Sequence, residues 1–295
     1  MDSIEEKRVY GDREGAITAY VASRIGVVRV SVAGDTVGEF GLCERCNARD
    51  VAATRGAVAI ATDGDVRVLA LEEGVGIETS DDGTDAAATD ETFVGTGFGP
   101  AVAVGYDDGD LIAADSDGRV ARRAAGTDEW STLEEEIVAT VRAIDGDLVG
   151  TDSGVYRVHE SGLDHAGLTD VRDVSAAGVP LAATADGLYK LGNGWMEILT
   201  GSFDTVAADP RSEPGRLSRA HAVANDVLYE YAADDEWAKS DRSSDAIVGF
   251  GYGDTVYAVT DHGTFLSASE GEWRTRMLGV NEVTGIAVPP RGEER

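Results

Sequence analysis

An all-β chain, built from about seven copies of a four-stranded unit closed into a ring, is the fold class this sequence predicts, and three observations predict it. Short apolar runs that end in a small residue, an acid and a glycine recur every 40 residues or so along the chain, about the period of a propeller blade. Each run is followed by segments that alternate apolar and polar side chains, the period-2 signature of a half-buried strand. The last apolar run has no partner downstream, whereas the first repeat lacks the run that precedes every other copy.

The copies read in order as follows. Ala57 to Gly64, Leu111 to Gly118, Leu148 to Gly154, Leu181 to Gly187 and Val256 to Gly263 are the clear ones. Tyr20 to Gly26 is looser, and Ala222 to Asp226 lacks the glycine. Val27–Val30, Val155–Val158 and Leu188–Leu191 are the alternating segments that follow the turn. A further strand often opens with tryptophan, at Trp130, Trp195, Trp237 and Trp273. Runs such as Val51–Ala53, Val171–Ser175 and Val206–Ala208 then lead into the next copy. Four short strands per repeat, joined by glycine-rich turns, describe a seven-bladed β-propeller, or a six-bladed one if the weak copy at Asp226 is not a blade. Helical repeats of similar period are disfavoured by the glycine density; Glu134 to Val141 is the best helical stretch, and it is short and β-branched at its end. The tail Val283–Val288 is expected beside the strand starting near Ala19, which closes the ring and removes exposed sheet edges. Val9 and Tyr10 lie alongside or form a flanking strand. Glu72 to Glu91 is an acidic loop excursion, and residues 1–295 form a single domain.

Composition narrows the function. The 295 residues carry 55 acids against 25 bases, a formal charge of −30, with 42% hydrophobic content that rules out disorder. Only Lys7, Lys190 and Lys239 are lysines; the other bases are arginine. Without a basic stripe, nucleic-acid binding is excluded as an expectation. No apolar run reaches the ~20 residues of a membrane span, and the acidic start Met1–Lys7 has no apolar core of a signal peptide. The expected setting is cytoplasmic and monomeric. Acid-rich, lysine-poor composition resembles cytoplasmic proteins of salt-in halophiles; at molar salt the Debye length falls to about 3 Å and the self-repulsion of such a chain is screened.

Glu6–Tyr10, Gly95–Pro100 and Leu188–Trp195 together make the chain resemble a family of haloarchaeal β-propeller proteins, over essentially its full length. That resemblance implies a fold and a habitat, and no activity. Better-known propellers fit poorly. There is no Trp-Asp dipeptide of the WD40 kind. Ser267–Trp273 looks like a degenerate Asp-box turn whose acid and tryptophan spacing depart from the sialidase pattern, so glycosidase activity does not carry over. The Glu, Asn and Asp ligand pattern of calcium lactonases is not apparent in a chain with four asparagines.

Two constellations carry candidate chemistry. Cys43 and Cys46 form a CxxC in a loop between an outer strand and the next inner strand; such a pair can close a disulfide or supply half of a zinc site, with His262 as a conceivable third ligand. No second CxxC exists, so ordinary loop thiols are the plainer reading and no cofactor is expected beyond that zinc option. Arg49, Arg142 and Arg172 occupy equivalent positions at the start of inner strands, where they would ring the mouth of a central channel and trap a carboxylate or phosphate. The plainer alternative pairs each arginine with an aspartate of a neighbouring blade, such as Asp50, Asp173 or Asp204. Because strand residues alternate in direction, only one member of each Arg-Asp pair (Arg49/Asp50, Arg172/Asp173) is expected to face the channel. The four histidines assemble no triad or metal motif, and Asp115–Gly118 lacks the closing glutamate of a calcium loop and reads as a hairpin turn. The expectation is a non-catalytic scaffold that binds a protein or small anionic ligand at one face. The alternatives are an enzyme with its site at the channel mouth, and a CxxC redox or zinc-dependent protein.

Overall fold

The computed structural model describes residues 16–71, 92–135, 137, 139–160, 162–231, 236–243, 246–269 and 272–291. The regions around Val9 and Tyr10 and from Glu72 to Glu91 lie outside the described residues. Within them the chain forms seven four-stranded antiparallel sheets arranged as the blades of a propeller. The inner strands are Val283–Ala287 in blade 1, then Ala48–Thr54, Ala103–Asp107, Val141–Asp145, Val171–Ser175, Phe203–Ala208 and Ile247–Tyr252 in blades 2 to 7. Six blades take their four strands from consecutive sequence. Blade 1 borrows its inner strand from the tail, which pairs with Ile17–Ser23 through Tyr20 with Ala287 and Val21 with Ile286. The predicted closure is therefore the observed one.

The recurring turns have a common cause. A buried hydroxyl ends the second strand of most blades and ties the turn back on itself. Thr62 Oγ1 donates to Asp65 O at 2.7 Å and accepts from the N–H of Gly64 and Asp65; Thr151 and Thr184 donate likewise to Gly154 O and Gly187 O. In the copy without glycine, Asn225 and Asp226 take φ of 50° and 61°, so two residues tolerant of left-handed backbone build the tight hairpin turn instead. Cores lie between blades. One joins Val28, Val30 and Phe265 to Val283 and Ile286 of the closing strand, and six others repeat around the ring.

Sequence bounds shift in two places. Residue 134, the start of the best helical stretch, ends the outer strand Trp130–Glu134, and Val141 opens the inner strand of blade 4. Cys43 belongs to the outer strand Thr36–Glu44, so only Cys46 sits in the loop proper.

Candidate functional site

Six of the seven inner strands open with the same irregularity. In blade 2, Ala48 pairs with Thr62 and Asp50 with Ala61, which leaves Arg49 as the extra residue of a β-bulge. The bulge recurs at Arg142, Arg172, Asp204, Val248 and Thr284. In blade 3 the N–H of Val102 and the residue Ala103 both address Ala114, which places Val102 at the same point. A bulge re-aims a side chain out of strict alternation. These seven residues therefore make a rim at one end of the channel, three of them arginines.

Below the rim lies a cavity of about 380 Å³. Both Arg49 and Asp50 line it, and so do both Arg172 and Asp173. This corrects the expectation from alternation, since the bulge lets neighbours in sequence share the channel wall.

The rim arginines differ in what they hold. Arg142 Nη1 donates to Asp170 Oδ1 at 2.6 Å and to Val171 O at 3.1 Å, gripping the start of blade 5. Arg172 Nη1 donates to Asp204 and, at 2.9 Å, to Ser202 Oγ, gripping blade 6. For Arg49 the matching residue of the next blade is Val102, and among the described residues this exposed guanidinium has no hydrogen-bond or ion-pair partner.

The aspartates do a different job. An inner strand is paired on one edge only, so its channel-side N–H groups need acceptors. Asp50 accepts from its own Val51 N–H at 2.8 Å and from Val104 N–H of blade 3 at 2.9 Å. Asp173 accepts from Val174 and from Val206 of blade 6, both at 2.9 Å. Asp145, which the sequence does not single out, accepts from Ala176 of blade 5 at 2.8 Å. Burial pushes the Asp50 carboxyl up to about 7 and the Asp173 carboxyl up to about 8, against the hydrogen bonds that favour ionisation; it raises Asp145 as well. Asp50 also feels Asp145 as a like charge, Asp173 feels both Asp145 and Asp50, and Asp145 feels Asp147, which opposes ionising all together.

At the far end of the channel the connection 209–219 of blade 6 carries an unforeseen cluster. Asp209, with 3% of its side chain exposed, holds both Arg211 and Arg219, and both arginines also donate to Gly253 O of blade 7. Beside them Tyr252 donates to Ala207 O at 2.8 Å and takes a hydrogen bond from His221 Nδ1 at 3.0 Å. Asp209 belongs to no repeat position, so nothing in the periodicity marks it.

Cys43 and Cys46 are both thiols in the partly buried edge of the core between blades 1 and 2. Cys43 donates to Val27 O at 3.3 Å, and burial pushes the Cys46 thiol up to about 11. His262 lies in an exposed turn of blade 7 beside Asp261. Among the described residues no three His, Cys, Asp or Glu side chains gather closely enough to hold a metal ion, so the structure does not bring Cys43, Cys46 and His262 together.

Comparison with known proteins places this geometry in a lineage. Residues 3–289 match the Beta-prop_HVO_0234-like β-propeller family, and the chain belongs to it. No curated protein matches the sequence. Among solved structures, the WD40 β-propeller domain of Doa1 is similar at a TM-score of 0.58 and 14% identity, over 90% of this chain and 89% of that one. AztD from Citrobacter koseri is similar at 0.55 and 10% identity, over 90% and 82%. At such identities the likeness is one of fold.

Proposed function

We propose that this propeller is a non-catalytic binding scaffold whose ligand, a small anion or the acidic side chain of a docked protein, is taken at the channel mouth. The observation that carries the reading is Arg49, a rim guanidinium with no partner among the described residues, above a cavity of about 380 Å³. Arg142 and Arg172 are anchored to carboxylates that fix their direction, and each keeps donors that its partners do not use. A catalytic reading would want a carboxylate turned toward a substrate's reacting atoms. Asp50 and Asp173 instead accept backbone N–H groups on both oxygens, which supports a seam-holding role. No helix of the described residues is long and apolar enough to cross a membrane.

Sulfate titrated calorimetrically at pH 6, at constant ionic strength, tests the reading. The wild type is expected to bind, and Arg49→Gln to bind about tenfold or more weakly, the loss typical of one charged hydrogen bond. Equal affinity in the two proteins would overturn it. We propose also that the charge of −30 adapts the chain to a cytoplasm at high salt, where it works as a monomer. Native circular dichroism is then expected to fade below about 0.5 M salt, as screening weakens.

A further inference from the structure

The charge balance around the channel sets a condition on anion binding that the rim alone does not. Arg142 and Arg172 are matched by Asp170 and Asp204, so the rim contributes the single uncompensated charge of Arg49. Below it stand Asp50, Asp145 and Asp173, all lining the same cavity. Were all three ionised, the enclosure would be net negative inside a chain that is already strongly acidic, and an anion would be repelled. With their protons on, Arg49 dominates the field.

Resting on the reading that the mouth takes anions, we propose that capture of a small oxyanion at Arg49 is coupled to proton uptake by Asp50 and Asp173, so that the channel lets its anion go as pH rises through neutrality. The coupling is reciprocal: an anion above these carboxylates stabilises their protonated form by the same free energy that their protons lend to the anion. Their position makes the proton exchange fall in the right range. Both are sunk in the wall of the cavity, and the charged groups around them are mostly of their own sign. Asp145 acts on Asp50, and Asp145 with Asp50 acts on Asp173. The backbone N–H groups of Val51, Val104, Val174 and Val206 are the opposing influence. Tyr252 also lines the cavity, its hydroxyl tied to Ala207 O and to His221, whose ring stacks on Phe250. Because an imidazole ordinarily changes charge near neutral pH, the experiment must separate His221 from the aspartates.

Sulfate suits the test because its own charge is constant from pH 6 to pH 9. Its affinity is measured calorimetrically across that range at constant ionic strength, in two buffers of different ionisation enthalpy so that proton uptake is read directly. The expected result is binding about tenfold or more weaker at pH 9 than at pH 6, with uptake of up to about one proton per sulfate near pH 7.5. Asp50→Asn and Asp173→Asn should each shrink both the pH dependence and the uptake, and His221→Gln should leave them in place. Sulfate binding with no pH dependence and no proton uptake would overturn the coupling while the anion reading stood. A pH dependence that vanishes in His221→Gln and persists in both aspartate variants would also overturn it. Absence of sulfate binding at every pH would sink the anion reading and the coupling with it. The wild-type measurement decides the matter even if an aspartate variant fails to fold.

Discussion

Between blades 5 and 6 the inner strands are joined by polar groups: Asp173 reaches across to the N–H of Val206, and Ser175 Oγ accepts from Ala208 at 3.1 Å. Between blades 7 and 1 the corresponding positions are Gly249 and Gly251, and the blades meet through backbone and methyl groups. A Cβ on Gly251 would stand 2.5 Å from Val288 Cγ2. Blades 3 and 4 meet in the same way, where a Cβ on Gly105 would lie 2.6 Å from Ile144 Cγ2 and 2.8 Å from its carbonyl oxygen. Both arrangements deal with inner strands that are paired on one edge only. A carboxylate satisfies the exposed N–H groups of the next blade but places a titratable group in the channel wall. A glycine brings the blades close enough for direct packing and introduces no charge. The difference teaches that carboxylates held protonated by burial are local to three inner-strand seams, those of Asp50, Asp145 and Asp173; the closing seam has none on its inner strands, and its acid, Asp35, is held low by Ser269 and Arg274 at the outer edge.

The strongest way to break that division is to follow stability with pH. The folded chain holds protons on Asp50 and Asp173 up to about 7 and about 8, whereas a carboxyl of this type ordinarily gives its proton up near 3.8. The stability this lends is complete below that ordinary value and is lost as pH rises through the folded values. Unfolding free energies from urea curves at fixed salt should therefore fall between pH 5 and pH 9, by on the order of 7 kcal/mol if both groups contribute fully. Asp209, held low by its arginines, loses its contribution only under much more acidic conditions and does not disturb this window. Asp173→Asn should flatten the slope. A midpoint that is level or rises over the same range would show that the channel carboxylates are ionised throughout.

A steric seam should answer to volume instead. Gly105→Ala forces a methyl against the backbone of Ile144, and about 2 kcal/mol of destabilisation is expected, the usual cost of overpacking a close contact. Its size should be the same at pH 5 and pH 9. A cost that grew with pH would mean that the seam between blades 3 and 4 communicates with the carboxylates, and the two kinds of seam would no longer be separable.

The sequence made the ring legible because the signals for it are local and repeated. Thr62, Thr151 and Thr184 sit at one place in each copy, and the closing run Val283–Val288 is apolar enough to demand a partner. The rim arginines were legible for the same reason, as residues of one type at one repeat position. What the bulge does was not. Alternation assigns Arg49 and Asp50 to opposite faces, and only the extra residue in the pairing with Ala57–Thr62 puts both on the channel wall. Contacts between blades were hidden too, since the acceptor for Val104 lies in another repeat altogether and Asp145 is disguised by a turn-like Asp-Gly pair. Asp209 was invisible because it breaks the repeat: its partners come from an insertion that no other blade shares.

The smallest expected effect is also a test of the comparison. Arg24 in a turn of blade 1 and Glu282, just before the closing strand, form an ion pair at 2.7 Å, with side chains 65% and 61% exposed. Among the described residues it is the one charged contact that sits at the start of the strand on which closure depends, so a chain closed by electrostatics would feel its loss. Exposed pairs of this kind contribute little, because water and salt screen the attraction and two long side chains must be held still. Arg24→Ala should therefore shift the urea midpoint by less than about 0.5 kcal/mol, and by less still as salt is raised. The neighbouring backbone bond from Arg24 N–H to Glu282 O at 3.3 Å survives the substitution, and the packing of Val21, Val283 and Ile286 is untouched. A loss as large as that of Gly105→Ala would move closure from packing to charge and erase the contrast between the two kinds of seam.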